Sequence, residues 1–273
     1  MKKLMRSEWA FFVGVPGFVW QVLFFYIPLM CILFMALCSW HNFTYFFTST
    51  YFLIIARSLG LSLTTTVLCL LIGYPVAYFI AFSSKKIKNF LLFLIIVPFW
   101  TNFLLHVCAW FFVLERNGFL NTLLLRYGII QEPLSLLNNM FATILMMVYY
   151  YLPFMILPLY SILEKFDYRF IEASLDLGAT MRQTMMHIIF PLTVPAMQAG
   201  VFLVFVPAFG EFVIPELMGG DRHMFVGTVI SYYILGAKTI AQGAAFTMLS
   251  ISILLMVMGI LYVTTQKLRD GNG

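Results

Sequence analysis

The chain is 273 residues long, 62% of it hydrophobic and only 10% charged, against roughly 25% charged in an average soluble domain. A soluble core of this size cannot hide that much apolar surface, and a disordered chain is excluded for the same reason, so the composition is that of a polytopic membrane protein. The net charge of +5 could suggest nucleic acid, but the basic residues cluster at the ends of apolar runs and act as topology signals instead.

A span takes roughly 20 residues, so the length admits about six helices and no sizeable soluble catalytic domain. A single transmembrane domain over residues 1–273 is expected, all-α and integral to the membrane. The first apolar run, Ala10 to about Leu37, follows a basic start with Lys2, Lys3 and Arg6. It is too long for the apolar region of a signal peptide and no A-x-A site follows, so it reads as an uncleaved first helix. The next spans are expected at Leu59–Phe82, Phe90–Leu114 and Met140–Leu163. The last two are expected at Leu192–Val213 and Ala244–Val263.

Six spans put both termini on one side. Lys2, Lys3, Arg6, Lys85, Lys86, Lys88, Lys165, Arg169, Arg182, Lys267 and Arg269 then share that side, against Arg57, Arg116, Arg126, Arg222 and Lys238 on the other. The positive-inside rule therefore predicts cytoplasmic termini. Phe225–Leu235 is apolar but too short to cross, and reads as an interfacial or re-entrant segment on the outer side. Cys31, Cys38, Cys69 and Cys108 all lie inside apolar runs without CxxC spacing, so they read as packing residues rather than a metal site or a disulfide framework. Pro and Gly recur within the spans, at Pro28, Gly73, Pro75, Pro98, Pro153, Pro158, Pro195 and Pro207. Kinks of this kind suit a bundle that opens around a path, although Pro and Gly are also simply commoner in membrane helices.

The most informative stretch is the loop at about 164–191, between spans four and five. Long ordered loops are usually functional. Phe170, Ile171, Leu175 and Leu177 predict a helical stripe, with Glu172 and Asp176 on a polar face. Gly178 predicts a left-handed C-cap. A second short helix is expected through Met181, Met185, Ile188 and Ile189 to Pro191, which would start the next span. A helix–turn–helix with a small face, part apolar and part acidic, is a docking element for a cytoplasmic partner.

The pattern Glu172-Ala173-Ser174-x3-Gly178-x9-Ile188-x-Phe190-Pro191 resembles the EAA motif of ABC importer permeases, EAA-x3-G-x9-I-x-L-P. Ser174 stands for the second Ala and Phe190 for Leu, while the spacing is kept over all 20 positions. The resemblance implies a type I importer bundle of six transmembrane helices in which this loop is the coupling helix. Glu172, Ala173, Ser174, Asp176 and Gly178 would then meet an ATPase subunit. Further segments resemble the spermidine/putrescine permeases: Leu70–Tyr78, Val97–Asn102, Leu152–Tyr160 and Gly210–Gly220. Together they cover about residues 50–263. The resemblance implies a polyamine importer subunit in a bacterial plasma membrane. Its partners would be a second, different permease, two ATP-binding subunits and an extracytoplasmic polyamine-binding protein. ATP and Mg would belong to the ATPase chain, with no cofactor here.

No catalytic constellation appears: there is no G-x4-G-K-[ST], HExxH or GxSxG. The four histidines are scattered, and His106, four residues after Asn102, reads as a hydrogen-bonded packing or pore-lining residue rather than a metal ligand. A charge held within the bilayer is costly and should face a cavity. Glu211 is the foremost candidate, near the outer end of span five after Pro207 and Gly210, with Glu216 at the mouth. Its carboxylate faces a path or pairs with another helix. A flexible polycation needs carboxylates and aromatic faces. Trp100, Asn102, Trp110 and Tyr150 are therefore carried as path residues, although most Tyr and Trp in such chains serve packing or the interfacial belt. An importer for another small solute is the nearest alternative; an anion path should show basic residues in the spans, which hold none. A secondary transporter would need coupling-ion sites and no docking loop. A membrane enzyme would need paired ligands at helical spacing.

Overall fold

The computed structural model describes residues 15–38, 41–220, 224–236 and 239–270, and no strand occurs among them. In chain order the helices are α1 (Val15–Cys38), α2 (His41–Phe46), α3 (Ser49–Phe82), α4 (Lys85–Ile96), α5 (Phe103–Leu114) and α6 (Phe119–Arg126). They continue as α7 (Met140–Leu163), α8 (Arg169–Asp176), α9 (Met181–Gly210), α10 (Val213–Met218), α11 (Val226–Ile234) and α12 (Ile240–Asp270). Six helical segments among the described residues are long and apolar enough to cross a membrane. Residues 10–14, expected to open the first span, lie outside the described residues, as does the polar turn at 221–223.

Four expected spans differ from the sequence reading; the sixth is part of a longer helix, α12, that starts at Ile240 instead of Ala244. The second is longer: α3 starts at Ser49, ten residues before Leu59, and runs for 34 residues. That is about 51 Å at 1.5 Å per residue, well beyond a hydrocarbon core of about 30 Å, so Arg57 belongs to the projecting end of the helix. The third span is not one helix. α4 passes into a tight 3-10 turn at Val97–Trp100, the backbone extends at Thr101, and α5 starts after Asn102. Length and composition alone would assign this crossing to Phe103–Arg126, but that stretch is interrupted between α5 and α6. A ladder of side-chain pairs on α7 decides the matter. Lys88 meets Glu164, Phe99 meets Phe154, Phe103 meets Tyr150 and Trp110 meets Tyr149. The chain from α4 to α5 therefore runs antiparallel along α7 as a single interrupted crossing. In the fifth, the expected separate helix before Pro191 is continuous with the span through a wide turn at Met185–Ile189, and the span ends at Gly210 rather than Val213.

The chain folds as two compact units, Met1–Phe52 with Val229–Ile253, and Leu53–Thr228 with Leu254–Gly273. In the first, Phe46 is fully buried against Tyr51, Tyr233 and Phe246, and the Tyr51 and Tyr233 hydroxyls are hydrogen-bonded at 3.0 Å. The second is built around α7, which packs most extensively on α9 and buries Met146, Met147, Met155, Ile156, Leu159 and Leu163. Lipid offers no hydrophobic drive for helix association, so close packing and interhelical hydrogen bonds must supply it. At Gly200 of α9 the two helices pack closely: a Cβ there would lie 2.6 Å from Met155 Sδ. Tyr74 of α3 and Thr193 of α9 share a hydrogen bond of 3.1 Å, worth about 0.6 kcal/mol on the average for such pairs.

The short apolar run after residue 224 forms α11, nine residues long and about 13 Å, too short to cross. Its first N–H, from Val226, donates to the buried Ser58 Oγ of α3 at 2.8 Å.

Candidate functional site

α9 ends where Pro207 and Gly210 weaken its last turns, and the backbone becomes extended at Glu211 (φ −64°, ψ 131°) before α10 begins. The break aims the Glu211 carboxylate back at the chain. Oε1 accepts from the N–H groups of Val213 at 2.9 Å, Phe212 at 3.1 Å and Ile214 at 3.4 Å. Oε2 accepts from the Tyr151 hydroxyl of α7 at 2.9 Å. These donors are neutral, and among the described residues no Lys or Arg pairs with Glu211. The negative charge is held in place yet not cancelled.

It opens on a cavity of about 680 Å³, bounded also by Phe103, Tyr150, Tyr151, Phe154 and Pro207. The Tyr150 ring stands edge-on to Phe103 at 4.7 Å and to Tyr151 at 5.2 Å. A fixed carboxylate among aromatic faces attracts an alkyl ammonium in two ways, by Coulomb attraction and by the ring quadrupoles.

Of the expected path residues, the structure brings Tyr150 and Glu211 into one cavity. The others lie elsewhere. Trp100 is 76% exposed and packs edge-on to Phe93. Asn102 caps α5, its side chain accepting from the Leu104 N–H at 2.8 Å. Trp110 stands against Tyr149, and Glu216 is exposed on α10. Sequence reasoning did not single out Tyr151, Phe103 or Phe154. Three adjacent tyrosines point about 100° apart around a helix, and nothing in the string says which of them faces α9.

At the opposite end of α7, the carboxylate of Glu164 lies 3.4 Å from Lys88 Nζ. The Tyr160 hydroxyl first, and Lys88 with it, hold Glu164 below the usual carboxylate range. α8 follows. The apolar stripe expected on it is split: Ile171 is buried, whereas Phe170, Leu175 and Leu177 are exposed, Leu177 at 89%. The helix buries Ile171 and Ser174, which are one turn apart, and turns Glu172, Ala173 and Asp176 outward with the exposed apolar groups. Gly178 has φ +85°. Its N–H bonds the Leu175 carbonyl and that of Ala179 bonds the Ser174 carbonyl, the Schellman arrangement. Beyond it, Thr180 and Gln183 cap α9 reciprocally. The loop is thus a built hairpin of two helix ends, with apolar and acidic side chains on its open face.

The family described as binding-protein-dependent transport system inner membrane component matches residues 73–270. The chain belongs to this family. It is 36% identical to the spermidine/putrescine transport system permease protein PotB of Salmonella typhimurium over 282 residues, 99% of this chain and 97% of that one. To PotB of Escherichia coli it is 40% identical over 229 residues, 84% of this chain and 83% of the other. Among solved structures it resembles a chain of a bacterial ABC transporter that imports the acidic polysaccharide alginate. The TM-score is 0.76 and the identity 16%, over 97% of this chain and 98% of that one, which establishes the importer permease fold. This inner membrane component is a multi-pass membrane protein, and its relatives are transport permeases rather than enzymes.

Proposed function

We propose that the chain is one of two different permease subunits of an ATP-driven importer for polyamines. The observation that carries the substrate class is the Glu211 carboxylate, fixed by Tyr151 and the start of α10, with no basic partner among the described residues, and facing Tyr150 and Phe103. That chemistry suits a linear polycation, and the relatives named for spermidine and putrescine support it. An acidic solute would be repelled. The solute would be delivered by an external binding protein; a related alginate transporter has been solved with such a periplasmic protein.

The face formed by Glu172, Ala173, Asp176 and Gly178, with Leu177 protruding, is read as the contact for an ATP-binding subunit. Two such subunits would serve the permease pair. ATP and Mg would reside on them, and this chain would hold no cofactor. The hairpin and both termini would lie in the cytoplasm, with Lys85, Lys86, Lys88, Lys165, Arg169 and Arg182 on that side. Transport follows if movement of α8 is passed to α9, with which it shares a hydrogen bond, and so to Glu211 at the far end of α9.

The test is uptake of labelled spermidine and putrescine by cells lacking their own importers. They would express this chain with its neighbouring permease, ATPase and binding-protein genes. Uptake is expected, with Glu172→Lys abolishing it through lost ATPase docking, and Glu211→Gln abolishing it with assembly intact. An assembled, ATP-hydrolysing complex that moves neither polyamine overturns the substrate class and leaves the importer architecture standing.

A further inference from the structure

The break in the third crossing lies opposite a weak point in α7. Thr101 is extended (φ −102°, ψ 157°), so the Pro98 carbonyl has no α-helical donor four residues on. Three groups replace it: the Thr101 N–H at 3.3 Å, the Thr101 hydroxyl at 2.8 Å and His106 Nε2 at 3.1 Å. The Thr101 hydroxyl also touches Nε2. A carbonyl can only accept, so the ring N–H that meets it is the one on Nε2. Nδ1 is then free to accept from the Tyr149 hydroxyl, 3.1 Å away on α7. Tyr149 is the fourth residue before Pro153, which lies within α7 and has no N–H to bond the Tyr149 carbonyl. One imidazole therefore ties the interrupted ladder of one helix to the interrupted ladder of the other.

Beside this tie is an apolar cavity of about 210 Å³, with Leu94, Pro98 and Phe99 on one wall and Pro153 and Ile156 on the other. It opens at the surface, with Leu94 and Phe99 exposed, and lies where both helices have lost backbone hydrogen bonds. Tyr150 lines both this cavity and that of Glu211. Phe103, the first residue of α5 after the break, lines the Glu211 cavity and packs on Tyr150.

We propose that the third crossing and α7 bend as a pair at this level, with the His106–Tyr149 hydrogen bond as their joint, and that this motion carries Phe103 and Tyr150 into and out of the Glu211 cavity. His106 is a positioning residue, not a solute contact. The inference rests on the reading of the Glu211 cavity as part of the solute path.

The complete importer, reconstituted in lipid vesicles with its binding protein, tests it through KM and Vmax of polyamine uptake. His106→Leu and Tyr149→Phe should each lower Vmax about tenfold with KM within about twofold, the scale of one lost buried hydrogen bond. The double variant should be no worse than His106→Leu alone, because Tyr149→Phe removes only a bond already lost there. His106→Gln, which keeps a donor and an acceptor, should recover to within about threefold of the parent. Wild-type uptake in His106→Leu and Tyr149→Phe overturns the proposal. So does a raised KM at unchanged Vmax, or losses that add. Should His106→Leu fail to assemble, Tyr149→Phe, which keeps the ring, decides. Glu211→Gln in the same vesicles separates the two readings: normal uptake by that variant removes the cavity from the path, whereas lost uptake beside unaffected Tyr149→Phe removes only the joint.

Discussion

Ser174 Oγ lies 2.9 Å from Thr184 Oγ1 across the turn at Gly178. Thr184 in turn donates to the Thr180 carbonyl, so Ser174 is the donor to Thr184. Both residues are buried. The one position at which the loop departs from the Ala of the importer pattern is thus the position that clamps α8 to the start of α9. Thr184→Val should cost more than Ser174→Ala, because it strands a buried hydroxyl: about 1–3 kcal/mol against about 1 kcal/mol. Hydrogen exchange over residues 170–185 of the purified complex would show it as faster opening of α8.

Gly178 holds its turn at φ +85° with open space where a side chain would go. A substituent there meets no clash but pays the left-handed backbone penalty of about 1–2 kcal/mol. Gly178→Ala should therefore assemble, yet lower polyamine-stimulated ATP hydrolysis and uptake together; Gly178→Asn, which tolerates this conformation, should recover most of both.

Gly200 is limited by space instead. Met155 is fully buried, with its Sδ in the way and its backbone 3.5 Å from the position of a new Cβ. Gly200→Ala should be partly absorbed by the flexible methionine, while Gly200→Leu should cost at least the about 1–3 kcal/mol of an overpacked core. Thermal unfolding in detergent should rank the wild type above Ala and Ala above Leu.

At Glu211, charge and geometry can be separated. Glu211→Gln keeps an oxygen for the α10 N–H groups and loses the charge; Tyr151→Phe keeps the charge and loses one donor. The first should abolish polyamine uptake and the second reduce it by about ten- to hundredfold, the value of one hydrogen bond to a charged group. Equal effects would place the role of Glu211 in the fold of the α9–α10 corner.

Glu164 gives the complex an acid limb. Its folded-state carboxyl is held low, chiefly by the Tyr160 hydroxyl and then by Lys88. A depressed carboxylate contributes stability above its unfolded pKa and loses it as the pH falls through the folded value. At neutral pH, Glu164→Gln should melt below the wild type. The gap should narrow only in acid below the ordinary carboxylate range, and it should shrink in high salt because the pair is exposed.

The density of apolar residues and the spacing of Glu172, Gly178 and Pro191 were enough to read a six-span permease, because each is a local property of the string. Gly178 was legible for the same reason: one residue type serves a left-handed cap. The buried side of α8 was not. Phe170, Leu175 and Leu177 are as apolar as Ile171, and the face that turns inward is the one where Ile171 joins the core and Ser174 meets Thr184.

By itself, then, the amino-acid sequence determined that six segments are apolar enough to enter a membrane and that they are helical, since bilayer thickness and backbone hydrogen bonding leave little choice; the break at Thr101 and the early start of α3 at Ser49 belong to the tertiary structure. It could not determine how those helices are rotated. A span that is apolar all round carries no stripe to orient it, and its facing is set by packing against helices far away in sequence. That is why the break at Thr101 is bridged by His106 to Tyr149, and why Tyr150 and Glu211, distant in the chain, line one cavity while Trp100 and Trp110 stand outside it.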